Sequence, residues 1–590
     1  MKIERYDMIV IGAGPAGLSA AIEAAKKELK PIVFDENARP GGQLFKQIHK
    51  FFGSKEHRAK ERGFKIGEEL LKEAKEYGVE VILNATVVGL YPEKEITVKV
   101  GDSVKHYKGD AVLVATGASE NMVNFEGWTK PGVIGAGAAQ TMMNLHHIKP
   151  GNRILMLGSG NVGLVVSYQL LQAGCEVVAL ADAAPRVGGY GVHAAKVARC
   201  GVPFYLSHTI VRVEGDDYVT GVVIGQVGPD WKIIPGTEKH FDVDTVCLAV
   251  GLSPMSQLLK QAEVQMSDTK GGNVPVIDKF GATSVPGIYA AGDVSGIEEA
   301  SSAMIEGRMS GASIACYLGY MTEEERDARI DELEGQLDTL RQGMFAPKNR
   351  GKLVETTEEG IAVSMNLLNK GYVADEEIER FPGVTHQQGI HPVIECTQNI
   401  QCNTCQDACK MGCIRIGRNI TSLPAIDPDK KCVGCGMCVA SCSGQSIFLV
   451  EEDVEEGYGE VTMPYEFLPL PKVGDRGIAL GRNGKYVCDA EVTKIRTAPV
   501  FDHTYLLTIK VTNDMVMKAR FYKKEMAKVC RVGRKMPSMG QSCISCSISS
   551  SSSPKSSRAW FTGSGEVMST PAPFSKSMGL LLQPPERKPR

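Results

Sequence analysis

The sequence predicts an α/β protein whose first half holds two units built on parallel sheets, followed by a cysteine-rich module and a small β domain. Three observations carry this. From Tyr6 to about Leu318, short apolar, β-branched runs alternate with helical stretches and glycine turns, the pattern of parallel strands joined by crossover helices. A strand, glycine loop and helix recur in that order twice within the stretch. Nine of the 17 cysteines lie between Cys396 and Cys442.

At 590 residues the chain is long enough for about three or four folding units. Hydrophobic residues at 43% and charged residues at 23% are ordinary globular values, while 64 glycines favour many tight turns or phosphate loops. A net charge of −3 gives no overall pull toward nucleic acid or an anionic membrane, so neither is expected as a partner. The apolar run Met8 to Ile11 is too short for a signal peptide or a spanning helix, and no later segment reaches about 18 uninterrupted apolar residues. A cytoplasmic location is expected. In a reducing compartment, clustered cysteines read as metal ligands rather than disulfides.

The first unit begins with a strand over Tyr6 to Ile11, the loop Gly12-Ala-Gly14-Pro-Ala16-Gly17 and a helix over Leu18 to Lys27. These glycines permit a tight turn and a close approach of pyrophosphate to N–H groups at a helix N-terminus. A second strand, Pro31 to Phe34, ends at Asp35, close to the ~20-residue spacing at which a carboxylate meets the ribose hydroxyls. A dinucleotide site is therefore expected here. The second unit repeats the plan with Arg153 to Leu157, Gly158-Ser-Gly160-Asn-Val-Gly163, a helix over Leu164 to Gln172, and a return strand closed by Asp182. A carboxylate accepts hydrogen bonds from a free 2′-hydroxyl and repels a 2′-phosphate, so NAD(H) is expected over its phosphorylated form. Arg186, four residues on, keeps the phosphorylated form open.

Through these loops, Tyr6 to about Leu318 resembles the two-dinucleotide-binding flavoproteins of the disulfide-reductase class, in which one nucleotide fold is inserted into another. The resemblance implies FAD in the first unit. It assigns Thr283-Ser-Val-Pro-Gly-Ile-Tyr-Ala-Ala-Gly292-Asp293 as the late segment completing the FAD fold, with Asp293 on the flavin ribityl chain. Val112-Leu-Val-Ala-Thr116-Gly117 and Val246-Cys-Leu-Ala-Val-Gly251 resemble the family's strand-to-glycine returns, and Gly41-Gly42-Gln43 its loop beneath the flavin. The redox dithiol of disulfide reductases is missing, because no Cys-x-x-Cys precedes residue 396. Cys175, Cys200, Cys247 and Cys316 read as buried structural thiols.

Pro131 to Thr141, Gly188-Gly189-Tyr190 and Ser207-His208-Thr209 narrow the resemblance. They are similar to large flavoprotein subunits of amine and imino-acid dehydrogenases, the group of sarcosine oxidase, proline and hydroxyproline dehydrogenases, opine oxidase and hydrogen cyanide synthase. This implies a hetero-oligomer with a flavin-containing, amine-oxidising partner subunit. The rival expectation is a self-sufficient NADH:acceptor reductase feeding a ferredoxin-type acceptor. No side chain is given a catalytic role; His193, His208 and His146-His147 read as structural.

Cys432-x2-Cys435-x2-Cys438-x3-Cys442 has the spacing of a [4Fe–4S] ferredoxin site, with zinc the alternative. Cys402, Cys405, Cys409 and Cys413 are spaced x2, x3, x3. Aligning Cys409 to Ile414 on Cys442 to Ile447 gives two ligand sets: Cys396, Cys402, Cys405 and Cys442 on one cluster, and Cys409, Cys432, Cys435 and Cys438 on the other. A competing register uses Cys413 and leaves Cys396 free.

The expected organisation is an FAD-binding Rossmann-like domain over 1–120 and 280–320, an inserted NAD-binding Rossmann-like domain over 121–279, and a helix and linker over 321–390. A ferredoxin-like 2[4Fe–4S] module over 391–452, a small β domain over 453–527 and a disordered tail over 528–590 follow. The helix rests on Ile330, Leu333, Leu337 and Leu340 at three- and four-residue spacing, and the tail on the serine run Ser547 to Ser553. The resemblance also implies a further cysteine-rich segment at the end, where Cys530 is here followed by Arg531, Val532 and the serine-rich tail.

Overall fold

A computed structural model describes residues 3–347, 350–353 and 360–524. Cys530 and the serine-rich tail lie outside the described residues. The first sheet orders its strands Glu80–Ile82, Pro31–Phe34, Glu4–Ile11, Ser103–Val114, Glu95–Val100 and Ala85–Leu90. Glu4–Ile11 runs parallel to Pro31–Phe34 and to Ser103–Val114. The late strand Ile288–Ala290 returns to pair, also parallel, with Ser103–Val114. Alternation along Glu4–Ile11 sends Met8 and Val10 into one apolar cluster and Ile9 and Ile11 into another. Burial on both faces is what makes the strand read as a continuous apolar run.

Between the outgoing and returning parts of that sheet, the chain builds a second one, ordered Phe204–Leu206, Glu176–Asp182, Arg153–Leu157, Thr245–Leu248 and Val133–Gly135, all parallel. Ile154 and Met156 pack on one side of it and Leu155 and Leu157 on the other. Short antiparallel strands Ala118–Glu120 and Leu252–Pro254 join the two regions.

The helix Glu323–Leu340 starts at Thr322, whose hydroxyl accepts the Glu325 N–H while the Glu325 carboxylate accepts the Thr322 N–H. Its Ile330, Leu333, Leu337 and Leu340 bury against Ile305 and Met309 of the helix Ala300–Tyr317. The last sheet is antiparallel and seven-stranded, beginning with His391–Ile394 paired to Ile447–Glu455. All the cysteines from Cys396 to Cys442 lie in the chain between those two strands. Two short helices, Thr404–Ala408 and Met437–Ser441, carry Cys405 and Cys438.

Candidate functional site

The two glycine loops have the same local geometry. Gly12 sits at φ 107° and Gly158 at φ 113°, where any side chain is strained. A Cβ on Gly12 would lie 2.4 Å from the Ala115 carbonyl oxygen, and one on Gly158 2.2 Å from that of Ala249. Gly17 and Gly163 are just as confined, at 1.9 Å from the Gly12 oxygen and 2.0 Å from the Gly158 oxygen. Gly14 and Gly160 differ: a Cβ on either would meet nothing within 4 Å. Each is the N-cap of an α-helix, Pro15–Ala25 and Asn161–Gln172, and no described side chain caps either helix. The outer glycines are thus fixed by packing, while the middle ones face open space at a helix N-terminus suited to phosphate.

Each acidic partner is tied to its loop. Asp35 Oδ2 accepts the Ala13 N–H at 2.7 Å, and Oδ1 accepts the Asn37 N–H at 2.8 Å. Asp182 Oδ2 accepts from the Ser159 N–H and hydroxyl, both at 2.6 Å, and Oδ1 from the Ala184 N–H at 2.8 Å. Arg186 is exposed.

Other segments converge on the first loop. The Gly41 N–H donates to Ala13 O at 2.7 Å, and a Cβ on Gly42 would sit 2.9 Å from the Gly14 Cα; Gln43 is exposed beside them. Gly292 approaches Ala16 so closely that a Cβ there would be 2.9 Å from that of Ala16. Burial pushes the neighbouring Asp293 carboxyl up to about 6, with Glu306 and Glu298 adding to the rise against the Glu298 N–H bond. Arg341 and Arg350 pair with Glu298 and Glu306, tying the region after the helix Glu323–Leu340 to this corner. Thr116 Oγ1 donates to Met255 O at 2.7 Å and Gly117 O accepts the Met255 N–H at 3.0 Å, so the two strand-to-glycine returns meet; Gly251 O accepts from the Asn121 N–H at 3.0 Å.

Cys405 and Cys438 share one apolar cluster with Cys396, Cys409, Cys432 and Cys442 packed on it, and within that crowd the thiols lean toward two groups. Cys396 lies within electrostatic reach of Cys442 and Cys402, and Cys405 of Cys402, Cys442, Cys396 and, last, Cys438. Cys438 is influenced by Cys432, Cys409 and Cys435. Burial pushes the Cys396, Cys405 and Cys438 thiols up. Cys413 stands beside the second group: its N–H donates to Cys409 Sγ at 3.3 Å, and burial and Cys409 push its thiol up to about 11. Among the described residues, no three His, Cys, Asp or Glu side chains converge to hold a single metal ion. Of the isolated thiols, Cys175 and Cys247 are buried, whereas Cys200 and Cys316 are half-buried, Cys316 accepting from Arg326 at 3.6 Å.

Sequence reasoning missed the residues between the glycine loops and the first thiol group. Phe52, Tyr190, Val192 and Ile400 form an apolar cluster against which Phe345, Cys396 and Cys402 pack. Tyr190 Oη donates to Glu299 Oε1 at 2.7 Å and accepts from Gln401 Nε2 at 2.6 Å. Lys50, 5% exposed, donates to Ala440 O at 2.6 Å, Phe501 O at 2.9 Å and Thr504 Oγ1 at 2.9 Å. The available signal was Tyr190 after the glycine pair Gly188-Gly189; nothing local marks Phe52 or Lys50. His193 is buried, its ring edge-on to Phe52 at 5.2 Å; His208 Nδ1 bonds Leu206 O at 2.8 Å; His146 and His147 are exposed.

Paired glycine loops on parallel sheets, each with a carboxylate at the end of its second strand, define a dinucleotide-binding oxidoreductase. The profile of the pyridine nucleotide-disulphide oxidoreductase family matches residues 6–307, and the chain belongs to that family. It is 30% identical to one of the subunits of opine oxidase from Rhizobium meliloti over 392 residues, 60% of this chain and 74% of that one. The HcnB subunit of hydrogen cyanide synthase from Pseudomonas aeruginosa is 26% identical over 58% of this chain and 78% of its own. Among solved structures, L-proline dehydrogenase from P. horikoshii aligns at 23% identity and a TM-score of 0.45, covering 57% of this chain and 60% of that one. No helix among the described residues is long and apolar enough to cross a membrane.

Proposed function

We propose that the protein moves electrons between NAD(H), FAD and two [4Fe–4S] clusters, as the electron-handling subunit of an amine or imino-acid dehydrogenase complex. The observation that supports the reading is the crowding of the thiols between Cys396 and Cys442, most of them around one apolar cluster, with Cys396 and Cys402 packed also against Phe52 and Tyr190. All-thiolate sets suit iron–sulfur clusters. Zinc is the alternative, but the run Cys432-x2-Cys435-x2-Cys438-x3-Cys442 has ferredoxin spacing. The relatives whose names read as subunits of opine oxidase and hydrogen cyanide synthase support a role inside a complex.

Gly12, Gly14, Gly17 and Asp35 would hold FAD, with Gly42, Gln43, Thr116, Gly117, Gly292 and Asp293 around it. Gly158, Gly160, Gly163, Asp182 and Gly251 would hold the nicotinamide dinucleotide. When bound, the flavin supplies the junction between two-electron hydride chemistry and the one-electron chemistry of the clusters. The chain itself binds and orients: its helix N-termini receive pyrophosphates, and Asp35 and Asp182 fix ribose hydroxyls. Asp293, half-buried with a raised carboxyl, is suited to hydrogen-bond a ribityl hydroxyl.

Two experiments test this. Iron and sulfide are counted on anaerobically purified protein and its variants: Cys396→Ser should lose about half the iron and Cys413→Ser none. Iron loss confined to Cys413→Ser overturns the ligand sets. Second, NADH should reduce the flavin of the isolated chain, which should not oxidise proline, hydroxyproline or sarcosine unaided. Amine-dependent flavin reduction by the single chain makes it a stand-alone amine dehydrogenase instead. The second reading, an NADH:acceptor reductase feeding a ferredoxin-type protein, is favoured by the exposed Cys435.

A further inference from the structure

The second thiol group opens to solvent through a surface of defined character. Cys435 is exposed, and beside this group stand two apolar side chains with little cover: Met411, between Cys409 and Cys413, at 48% and Val433, after Cys432, at 60%. Arg496 Nη1 donates to Gly434 O at 2.9 Å and Cys435 O at 3.1 Å, fixing the loop that presents them. Between Cys405 and Cys438 the chain carries Lys410, Arg415, Arg418, Lys430 and Lys431 against Asp407, Asp427 and Asp429, although the whole chain is net −3. Asp427 is buried and consumed by Arg415. Asp427 also ties the two basic stretches together: its N–H donates to Cys413 O at 2.9 Å, and its own carbonyl accepts from the Lys430 N–H at 3.3 Å.

We propose that this face, with Met411 and Val433 at its centre and Lys410, Lys430 and Lys431 around it, docks an acidic one-electron redox protein. The inference rests on the iron–sulfur reading above and adds the place and the partner's charge. Exposed apolar side chains beside basic ones match the low-area, transient contacts of electron-transfer pairs, in which electrostatic attraction sets the encounter rate. The electron balance is simple. NADH gives up two electrons and becomes NAD⁺ and a proton. Two partner molecules are each reduced by one electron across this face, and no other bond forms or breaks.

The test uses the full-length holoprotein, anaerobic, with NADH as donor and either rubredoxin, a small acidic carrier, or basic mitochondrial cytochrome c as acceptor. Rubredoxin reduction should fall several-fold as salt rises from about 20 to 300 mM, and cytochrome c should be the poorer acceptor. The double variant Lys430→Glu/Lys431→Glu should lose about tenfold in kcat/KM for rubredoxin while keeping its iron content and its rate with a neutral quinone. An unchanged rubredoxin rate with iron intact, or a preference for cytochrome c in the unaltered protein, overturns the docking face alone. Absence of iron from the unaltered protein overturns the cluster reading, and the docking face with it. Charge-dependent sedimentation with phosphatidylserine vesicles, without any preference for rubredoxin, assigns the face to a membrane and overturns the proposal.

Discussion

The two thiol groups share similar short spacings and one stretch of chain, yet one is walled in and the other is open. Cys396 and Cys402 pack, as Phe345 does, against the cluster of Phe52, Tyr190, Val192 and Ile400. Two further bonds seal that side: the Asn403 N–H donates to Gly53 O at 3.1 Å and Ser443 Oγ to Phe51 O at 2.6 Å. The second group has Cys435 exposed and Val433 at 60%. Spacing sets which thiols can meet; segments hundreds of residues away set what surrounds them. Exposure is one of the factors that tune the potential and lability of an iron–sulfur cluster, so clusters held as proposed would differ in both.

The sharpest way to break this comparison is chemical attack. In air or with an iron chelator, iron should leave the second group about tenfold faster than the first, followed by the paramagnetic signals of the reduced protein. Equal rates would remove the distinction. Tyr190→Ala should cost about 3 to 5 kcal/mol, as deletion of a buried aromatic does, and bring the two loss rates together. Tyr190→Phe keeps the wall and loses only the bonds to Glu299 and Gln401, about 1 to 2 kcal/mol by thermal unfolding, with the rates still apart. Lys50→Met leaves the Ala440 and Phe501 carbonyls short of a donor, which costs about 1 to 3 kcal/mol and should speed proteolysis near Cys442.

The smallest effect expected is with pH. Burial alone would raise the Glu466 and Asp502 carboxyls, but Arg62 with the Thr504 hydroxyl on Glu466, and Lys65 with Arg62 on Asp502, hold both below their ordinary values. Because the folded values are depressed, this stabilisation is fully present above a pH of about 4.5 and fades as pH falls through the lowered values. Thermal midpoints measured between pH 7 and 3 should drop by less in Arg62→Met than in the unaltered protein.

What was legible follows from the range of each interaction. The glycine loops, Asp35 and Asp182 were readable because the strand, turn and helix that form each site lie within about thirty residues. The grouping of Cys432, Cys435 and Cys438 rests on short spacing in the same way. The helix Glu323–Leu340 was readable from its apolar spacing, whereas its capping box between Thr322 and Glu325 came from the structure. The return of the Ile288–Ala290 strand came from resemblance, since nothing local says which sheet it joins. The wall around Cys396 and the anchoring of Lys50 were not readable: Lys50 meets Ala440 across 390 positions, and lysine is the residue least expected in a buried seam. Half-burial of Cys316 and of Cys200, just past the helix Gly191–Arg199, was missed because apolar neighbours in sequence do not fix which side of a helix or its end is covered.

The late strand Ile288–Ala290 also fixes an order of events during synthesis. The second parallel sheet is complete once Thr245–Leu248 has left the ribosome, while the first still lacks the strand beside Ser103–Val114 and the corner at Gly292. The middle of the chain can therefore mature before the region that precedes it. A nascent chain arrested before residue 288 has one finished sheet and one unfinished one, and the close approach of Gly292 to Ala16 can form only after the later residues emerge.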